Sequence, residues 1–313
     1  MTKKTLHYPI SNEQAGLTAE QFLKAKGYSH RLIVCLKHTP MGLSVNGKPA
    51  YANRRLSPGE ALTVRLPEDE PSGSIVPVQL PLNIVYEDED LLVINKEAGV
   101  PVHPSQGHYT NTLANGLAWY FREKGQPFTC RAVNRLDRDT TGLLLFAKHM
   151  LSACILSSQM LNRSIHREYR ALVQGKIQKP GTITAPIARK EGSTIERQVD
   201  YEKGEAACTH YSPVCYSPRY DLSLISLWLE TGRTHQIRVH LRSVGHPLPG
   251  DFLYNPDYRC IARQPLHSFS LAFTHPITGE TMKFKAELPE DMASLLQLGK
   301  QLCPVQFHLS PLG

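Results

Sequence analysis

In NRLDRDTTGLLLFAKH, residues 134–149, Asp137 and Asp139 sit in a loop of alternating charge directly ahead of an apolar strand. A carboxylate so placed can attack an electrophilic carbon or accept a proton. It can equally do no chemistry and merely satisfy loop amides before the strand, and spacing alone leaves both readings open. The balance shifts with Arg135, two residues from Asp137, and with a second basic segment, TGRTHQIRVHLRSVGH, residues 231–246. There Thr234 is expected to cap a helix whose Ile237, Leu241 and Val244 face inward, leaving Arg238 and Arg242 stacked along a different face. Free amides at a helix start, beside Arg233 and His235, suit an anion, whether an RNA phosphate or a carboxylate.

Other chemistries find less support. His235 and His240 are five apart with no H-E-x-x-H pattern, so a helical zinc site is not expected. His103, His235, His246 and His267 read as loop braces or RNA neighbours. The seven cysteines (Cys35, Cys130, Cys154, Cys208, Cys215, Cys260 and Cys303) are odd in number, scattered and never in a C-x-x-C pair. That argues against a disulfide framework and a zinc ribbon, and for reduced, mostly buried thiols. No segment approaches the ~20 apolar residues of a membrane helix. The opening MTKKTLHYPISNEQ lacks the apolar run of a signal peptide, so a cytoplasmic protein is expected.

The elements that must position these residues fall into two groups. Net charge is +7, and residues 1–64 hold nine Lys/Arg against three Glu, so most of the excess lies in the first fifth of the chain. A basic module that favours a polyanion, joined to a nearly neutral body, is the economical description. In the module, Thr18 and Gln21 read as a capping box, with Leu17 packing on Phe22 and Gly27 ending the helix. Ser29 caps a second helix through His38, with Leu32, Cys35 and Leu36 inside. LSVNGKPAY reads as a hairpin through Asn46-Gly47, with Pro49 confined to an edge. Residues 65–82, with four prolines and an acidic trio, read as an exposed linker.

Beyond it, NIVYEDEDLLVINKEAG predicts two strands about an acidic turn, and TLANGLAWYFREKG a helix. HMLSACILSSQMLN predicts a helix with Leu151, Cys154, Ile155, Ser158 and Leu161 on one face. REYRALVQG and DLSLISLWLETG predict strands. Irregular interleaving of strands and helices, without repeated βαβ units, predicts an α+β fold with a mixed, mainly antiparallel sheet.

Three separated blocks, NRLDRDTTGLLLFAK (134–148), HREYRALVQG (166–175) and TGRTHQIRVH (231–240), resemble the sequence blocks of RluA/RluD-type RNA pseudouridine synthases. NKEAGVPVHP before them, and GDFLYN and LHSFSLAFTHPITGE after them, keep the family's order. The likeness spans roughly residues 80–290, and residues 16–64 resemble the S4-like RNA-binding fold. The organisation expected is an S4-like domain (1–64), a linker (65–82) and a catalytic domain of pseudouridine synthase fold (83–313).

The resemblance implies an isomerase that needs no cofactor and no metal: the uridine glycosidic bond breaks, the base rotates while held, and C5 bonds to C1′. It implies one essential aspartate, matched by Asp137, with Asp139 left structural. Arg238 matches the arginine paired with that aspartate, and a guanidinium can grip a carboxylate with two donors. Tyr169 matches the tyrosine that packs on the target base. Arg135 matches the arginine that fills the space of a flipped-out nucleotide, flipping being required for a stacked uridine to reach a buried acid. The aspartate either attacks covalently or acts as a base at C2′, and both routes stay open here.

Arg233, His235, Gln236, Arg54 and Arg55 are the further residues expected to meet RNA. The partner expected is ribosomal or transfer RNA, with no membrane; the sequence does not set the oligomeric state, and a monomer is the working expectation. A non-catalytic RNA-binding or ribosome-assembly factor is the alternative, against which Asp137, Tyr169 and Arg238 stand. A glycoside hydrolase would need a second carboxylate in an acid role beside Asp137. Departures from the family pattern are Asn134 where it has His, Thr141 where it has Ser and Arg167 where it has Lys.

Overall fold

The computed structural model describes residues 4–67, 75–298 and 301–302. Residues 68–74 of the expected linker, and the chain end from Cys303 onward, lie outside the described residues. In the N-terminal unit, β1 (Thr5–Pro9) is followed by α1 (Ala19–Ala25), α2 (His30–His38), β2 (Leu43–Val45), β3 (Lys48–Pro49) and β4 (Ala61–Arg65).

Local chemistry starts these elements where the sequence expects them. Thr18 Oγ1 accepts from the Gln21 amide while Gln21 Oε1 accepts from the Thr18 amide, and Ser29 Oγ accepts from the Leu32 amide. Asn46 and Gly47 both take positive φ, 50° and 77°, the geometry a two-residue hairpin demands. The sheet order β1-β4-β2-β3 leaves Pro49 on the edge strand, where its missing N–H costs no ladder bond. On α2 the buried side chains are Leu32, Ile33 and Leu36. Cys35, expected among them, is only half-buried, and so are the other five cysteines among the described residues, all of them free thiols.

The larger unit runs β5 (Ile84–Glu87), β6 (Leu91–Lys96), α3 (Leu113–Glu123), β7 (Thr141–Ala147), α4 (Met150–Leu161), β8 (His166–Gln174) and β9 (Gly181–Thr184). It continues with β10 (Ile187–Arg189), β11 (Arg197–Val199), β12 (Cys208–Ser217), β13 (Leu222–Leu229), α5 (Gln236–Ser243), β14 (Leu266–Thr274) and β15 (Thr281–Lys285). The main sheet has the order β5-β6-β7-β14-β8-β13-β12-β9, with β15 on β14. Its β7–β14 pair is parallel and the other pairs described are antiparallel. The mixed, mainly antiparallel sheet read from the sequence is therefore present. Strand β7 is buried end to end, and β8 is buried over its middle, Tyr169–Val173.

Helix α4 departs from its expected single face. Leu156, with Ala153 and Met160, packs into the core beside β7, whereas Leu151, with Met150, Cys154 and Ile155, joins the core of the N-terminal unit. Leu161, expected inside, is 84% exposed. A helix apolar on two sides lies between two cores, and α4 is where the small unit seats. At Gly27, which has a φ of 87°, an added Cβ would come 2.7 Å from Ile155 Cγ1. Lys4 Nζ and His149 Nε2 both reach Asp90 Oδ1, at 2.8 and 2.7 Å, tying the start of β1 to the β5–β6 turn.

Of the stretch read as a linker, Arg65 closes β4 and Leu66 is buried in the N-terminal core. Farther on, Val78 N donates to the Asn115 carbonyl and Asn115 Nδ2 donates to the Val76 carbonyl, so that this strap runs along α3. Among the described residues no helix is long and apolar enough to cross a membrane.

Candidate active site

The loop carrying Asp137 is fixed from four sides. At its start Asn134 Oδ1 accepts from the Leu145 amide at 2.9 Å, so a side chain takes a ladder position against β7. From β6, the Lys96 ammonium donates to the carbonyls of Glu97, Val100 and Arg138, at 2.7, 2.9 and 2.6 Å. Burial pushes Lys96 down to about 7, against the pull of the Asp139 and Asp137 charges. Arg138 pairs with Asp139 at 2.8 Å, and Arg263 donates to the Asp139 carbonyl. At its end Gly142, with a φ of 104°, passes so close to the backbone of Ser268 on β14 that any Cβ would collide with it. Asp139 is thus occupied structurally, as expected, while Asp137 is left facing a cavity.

Arg238 projects from α5 and is 1% exposed. Its Nε and Nη2 both donate to Asp251, at 2.7 Å each, and Nη1 donates to Asp137 Oδ2 at 2.8 Å. The two-donor grip expected on Asp137 is therefore spent on Asp251, and Asp137 receives the single remaining donor. Asp251 is itself fully buried and also accepts from the amides of Leu253 and Tyr254. Burial works against a charge on Arg238, yet Asp251 and Asp137 together hold its pKa above the ordinary value. The Tyr254 ring lies 4.9 Å from the guanidinium carbon and covers one side of it.

The start of α5 differs from expectation. His235, not Thr234, is the residue before the helix; it has a φ of 58° and makes no side-chain cap. Gln236 supplies the closure instead: its Oε1 accepts from the Arg233 amide and Thr231 Oγ1, and its Nε2 donates to the Cys208 carbonyl and Thr209 Oγ1. Ile237 and Leu241 face inward as predicted, whereas Val244 is 43% exposed. Arg238 and Arg242 do not form one exposed stack, since Arg238 is buried and Arg242 is 52% exposed.

Tyr169, in the middle of β8, pairs in register with Leu227 of β13 and Ser268 of β14. It is 4% exposed, and its accessible part borders a cavity of about 540 Å³ lined also by Asp137 and Arg238. Arg135, Arg167 and Arg233 line the same cavity with His103 and His235, so its walls favour an anionic guest of roughly nucleotide size. Burial, aided by Arg135, pushes the His103 pKa down. Burial also lowers His235, whose Nδ1 is 2.9 Å from the Tyr254 hydroxyl, against the pull of Asp137.

Residues 90–243 match the family described as RNA pseudouridylate synthase. The chain is 42% identical over 282 residues to the uncharacterized RNA pseudouridine synthase YjbO of Bacillus subtilis (strain 168), covering 90% of this chain and 99% of that one. The chain belongs to the RNA pseudouridylate synthase family. It is also 40% identical over 267 residues to the ribosomal large subunit pseudouridine synthase D of Zymomonas mobilis, covering 80% of this chain and 81% of the relative. Among solved structures, human RNA pseudouridylate synthase domain containing 1 is similar, with a TM-score of 0.56 and 26% identity over 72% of this chain and 90% of that one.

In this RNA pseudouridylate synthase, the seven large-domain residues singled out from sequence (Asp137, Tyr169, Arg238, Arg135, Arg233, His235 and Gln236) all border the same cavity. Their exposures differ. Arg135 is open to solvent, Arg233 is ion-paired with Glu205, and Gln236 is 3% exposed with both ends of its amide committed inside the fold. Arg54 and Arg55 lie in the N-terminal unit, away from this lining; Arg54 pairs with Glu60 and Arg55 donates to the Gly16 carbonyl. Two residues escape the sequence reading, Asp251 and Lys96. Each is signalled by a charge inside a quoted block, GDFLYN or NKEAG, whose other residues are mostly apolar or turn-forming.

Proposed function

We propose that this enzyme isomerises uridine in ribosomal RNA, with Asp137 as the essential carboxylate, Arg238 as its partner and Tyr169 as the plate on which the base rests. The observation that carries the reading is the Asp137 carboxylate, held 2.8 Å from a buried guanidinium and opening into the cavity that Tyr169 borders. Arginine remains charged at any working pH, so the carboxylate always has a cation beside it. The N1–C1′ bond breaks, the detached uracil turns on Tyr169, C5 bonds to C1′, and the proton lost from C5 is balanced by one gained at N1. Asp137 serves either as the covalent nucleophile or as the base at C2′. Arg135, exposed on the rim, fills the gap a flipped nucleotide leaves in its helix, and Arg233 and His235 meet neighbouring phosphates.

Ribosomal RNA is the substrate because relatives near 40% identity over most of the chain are named ribosomal large subunit pseudouridine synthases, and that substrate implies a cytoplasmic setting. We read residues 1–64 as an S4-like RNA-binding domain, 65–82 as its connection and 83–313 as the catalytic domain. Two capped helices, a small sheet with an Asn-Gly hairpin and a concentration of positive charge support the S4-like reading. Arg54 and Arg55 are its phosphate contacts. The test of the catalytic assignment is Asp137→Asn and Asp137→Ala, assayed by release of tritium from C5-labelled uridine in ribosomal RNA. Both variants are expected to bind RNA and release no tritium; wild-type turnover in either refutes the assignment.

A further inference from the structure

Strand β12 carries Cys208 and His210 two residues apart, and therefore on the same face of the sheet. The intervening Thr209 points the other way, fully buried, with Gln236 Nε2 and His240 Nδ1 both on its hydroxyl. On the cysteine face, Glu230 stands one residue past β13 and donates its amide to the Cys208 carbonyl. The result is a cluster of three metal-ligating groups: Cys208 Sγ is 3.7 Å from His210 Nε2 and 3.5 Å from Glu230 Oε1, and the latter two are 2.7 Å apart.

We propose that Cys208, His210 and Glu230 form a binding site for a zinc-class divalent ion, with water as the fourth ligand. The spacing carries the argument. Zinc bonds of roughly 2.0–2.3 Å arranged tetrahedrally put sulfur, nitrogen and oxygen ligands about 3.3–3.6 Å apart. Both distances from Cys208 are already close to that range. The His210–Glu230 separation is that of a hydrogen bond and opens by roughly 0.6 Å when a metal replaces the proton between them.

The surroundings are those of an oriented ligand set. His210 Nδ1 is 2.8 Å from Thr182 Oγ1 on β9, which can fix the ring with Nε2 aimed at the cluster. Glu230 Oε2 is held by Arg163 at 2.9 Å, leaving Oε1 for the ion. His210 and Glu230 are 39% and 38% exposed, so ion and water have a way in. On binding, the Cys208 thiol releases its proton to solvent, and thiolate and carboxylate together neutralise the dication. A thiolate with an imidazole selects zinc over magnesium or calcium, which prefer oxygen.

Such an ion would clasp the end of β13 to β12 where Thr231 and Gln236 brace the loop that lines the catalytic cavity. Cys208 N donates to Thr231 Oγ1, and its carbonyl receives Gln236. The site would thus stiffen the cavity wall from behind without touching the uridine.

The experiment titrates the full-length, tag-free chain, cleared of metal, with cobalt(II) as a spectroscopic stand-in and then with zinc. Expected is one equivalent of cobalt giving a thiolate-to-cobalt charge-transfer band and the visible spectrum of a tetrahedral ion, both discharged by zinc. C208S is expected to lose the charge-transfer band and weaken zinc about 100-fold or more, and Thr182→Ala to weaken it about tenfold. Glu230→Gln, a second and independent variant, should weaken zinc while keeping the thiolate band. No thiolate band in the wild type would mean that His210 and Glu230 are only an ion pair. A band that persists in C208S would place the metal on a different cysteine and overturn the assignment.

Discussion

Asp251→Asn separates position from charge at the centre of the site. In the wild type a single guanidinium serves two carboxylates, with Asp251 taking Nε and Nη2 and Asp137 taking Nη1. Asparagine keeps one acceptor oxygen, enough for one arginine donor and the Leu253 and Tyr254 amides, but turns an NH2 toward the other arginine donor. One charge-assisted bond is lost and two donors face each other in a place with no access to water. Breaking a buried ion pair by removing one partner costs about 3–5 kcal/mol. The retained oxygen puts this case near the lower end, about 3 kcal/mol, or a fall in Tm of roughly 6–12 °C for a unit of this size.

Coulombic attraction alone predicts the opposite effect on the Asp137 pair. With the Asp251 charge gone, Asp137 is the remaining carboxylate on Arg238, and its share of the attraction rises. If charge is what matters, the isomerisation should proceed as before or faster. If Asp251 works by aiming the guanidinium, Asp137 loses its register and the single-turnover rate falls about 10–100-fold, or roughly 1.4–2.7 kcal/mol. RNA affinity should hardly change, because neither aspartate offers a phosphate contact. Arg238→Lys is the companion variant: it keeps the charge but cannot reproduce three donors in a fixed fork, and should lose rate similarly. A folded D251N protein with wild-type single-turnover kinetics would refute the positioning argument.

Three further outcomes are expected. Tyr169→Leu removes a stacking plate worth about 1–3 kcal/mol and should cut the rate roughly 5–150-fold, while Tyr169→Phe stays close to wild type; equal losses would show that the hydroxyl, not the ring, matters. Asp90 is held down to about 2, burial being outweighed by His149 and Lys4; because its folded pKa lies below the ordinary 3.8, the stability it contributes is present above 3.8 and disappears as pH falls through 2. That contribution is about 2 kcal/mol, so Asp90→Asn should flatten the unfolding free energy between pH 5 and pH 2, and an unchanged profile would count against the β1 tether. Replacing Arg54 and Arg55 together by Gln should reduce the slope of log affinity against log salt by about 1–2, whereas an unaltered slope would remove the N-terminal arginines from the RNA interface.

What could be read from the sequence follows the range of the interaction that decides it. Thr18 with Gln21, Ser29 and Asn46-Gly47 act within three residues, and the structure has each of them in the expected role. The strands around NIVYEDEDLLVINK and LLLFA are declared by their own apolar runs. Helix α4 departs from its expected face because a one-sided stripe assumes one core, whereas Leu151 and Leu156 enter two. The start of α5 departs because Thr is intrinsically the better cap, yet Gln236, the first residue of the helix, reaches out to Thr209 and Cys208 and closes the turn through contacts distant in sequence. Cys208 and His210 escape any search for metal spacing along helices or in cysteine pairs. Their alternation on a strand, with a third ligand twenty residues on, is a signal only once the pairing of β12 with β13 is known.

The same logic explains why Asp137 and Arg238 are legible in the sequence and Asp251 is not. Both members of the proposed catalytic pair lie in blocks with a recognisable order, and their chemistry, a carboxylate needing a cation, can be argued without knowing where they meet. Asp251 needs no chemistry of its own; the role proposed for it lies in the direction in which it turns Arg238. That direction is set by burial on every side, by two backbone amides and by the Tyr254 ring, none of which is local to the Asp137 loop. A lysine would satisfy the charge requirement at position 238 and leave the geometry undefined. The fork of an arginine has two prongs fixed on Asp251 and one on Asp137 at the cavity, and in the proposed mechanism that turns a buried ion pair into a means of aiming a carboxylate at a nucleotide.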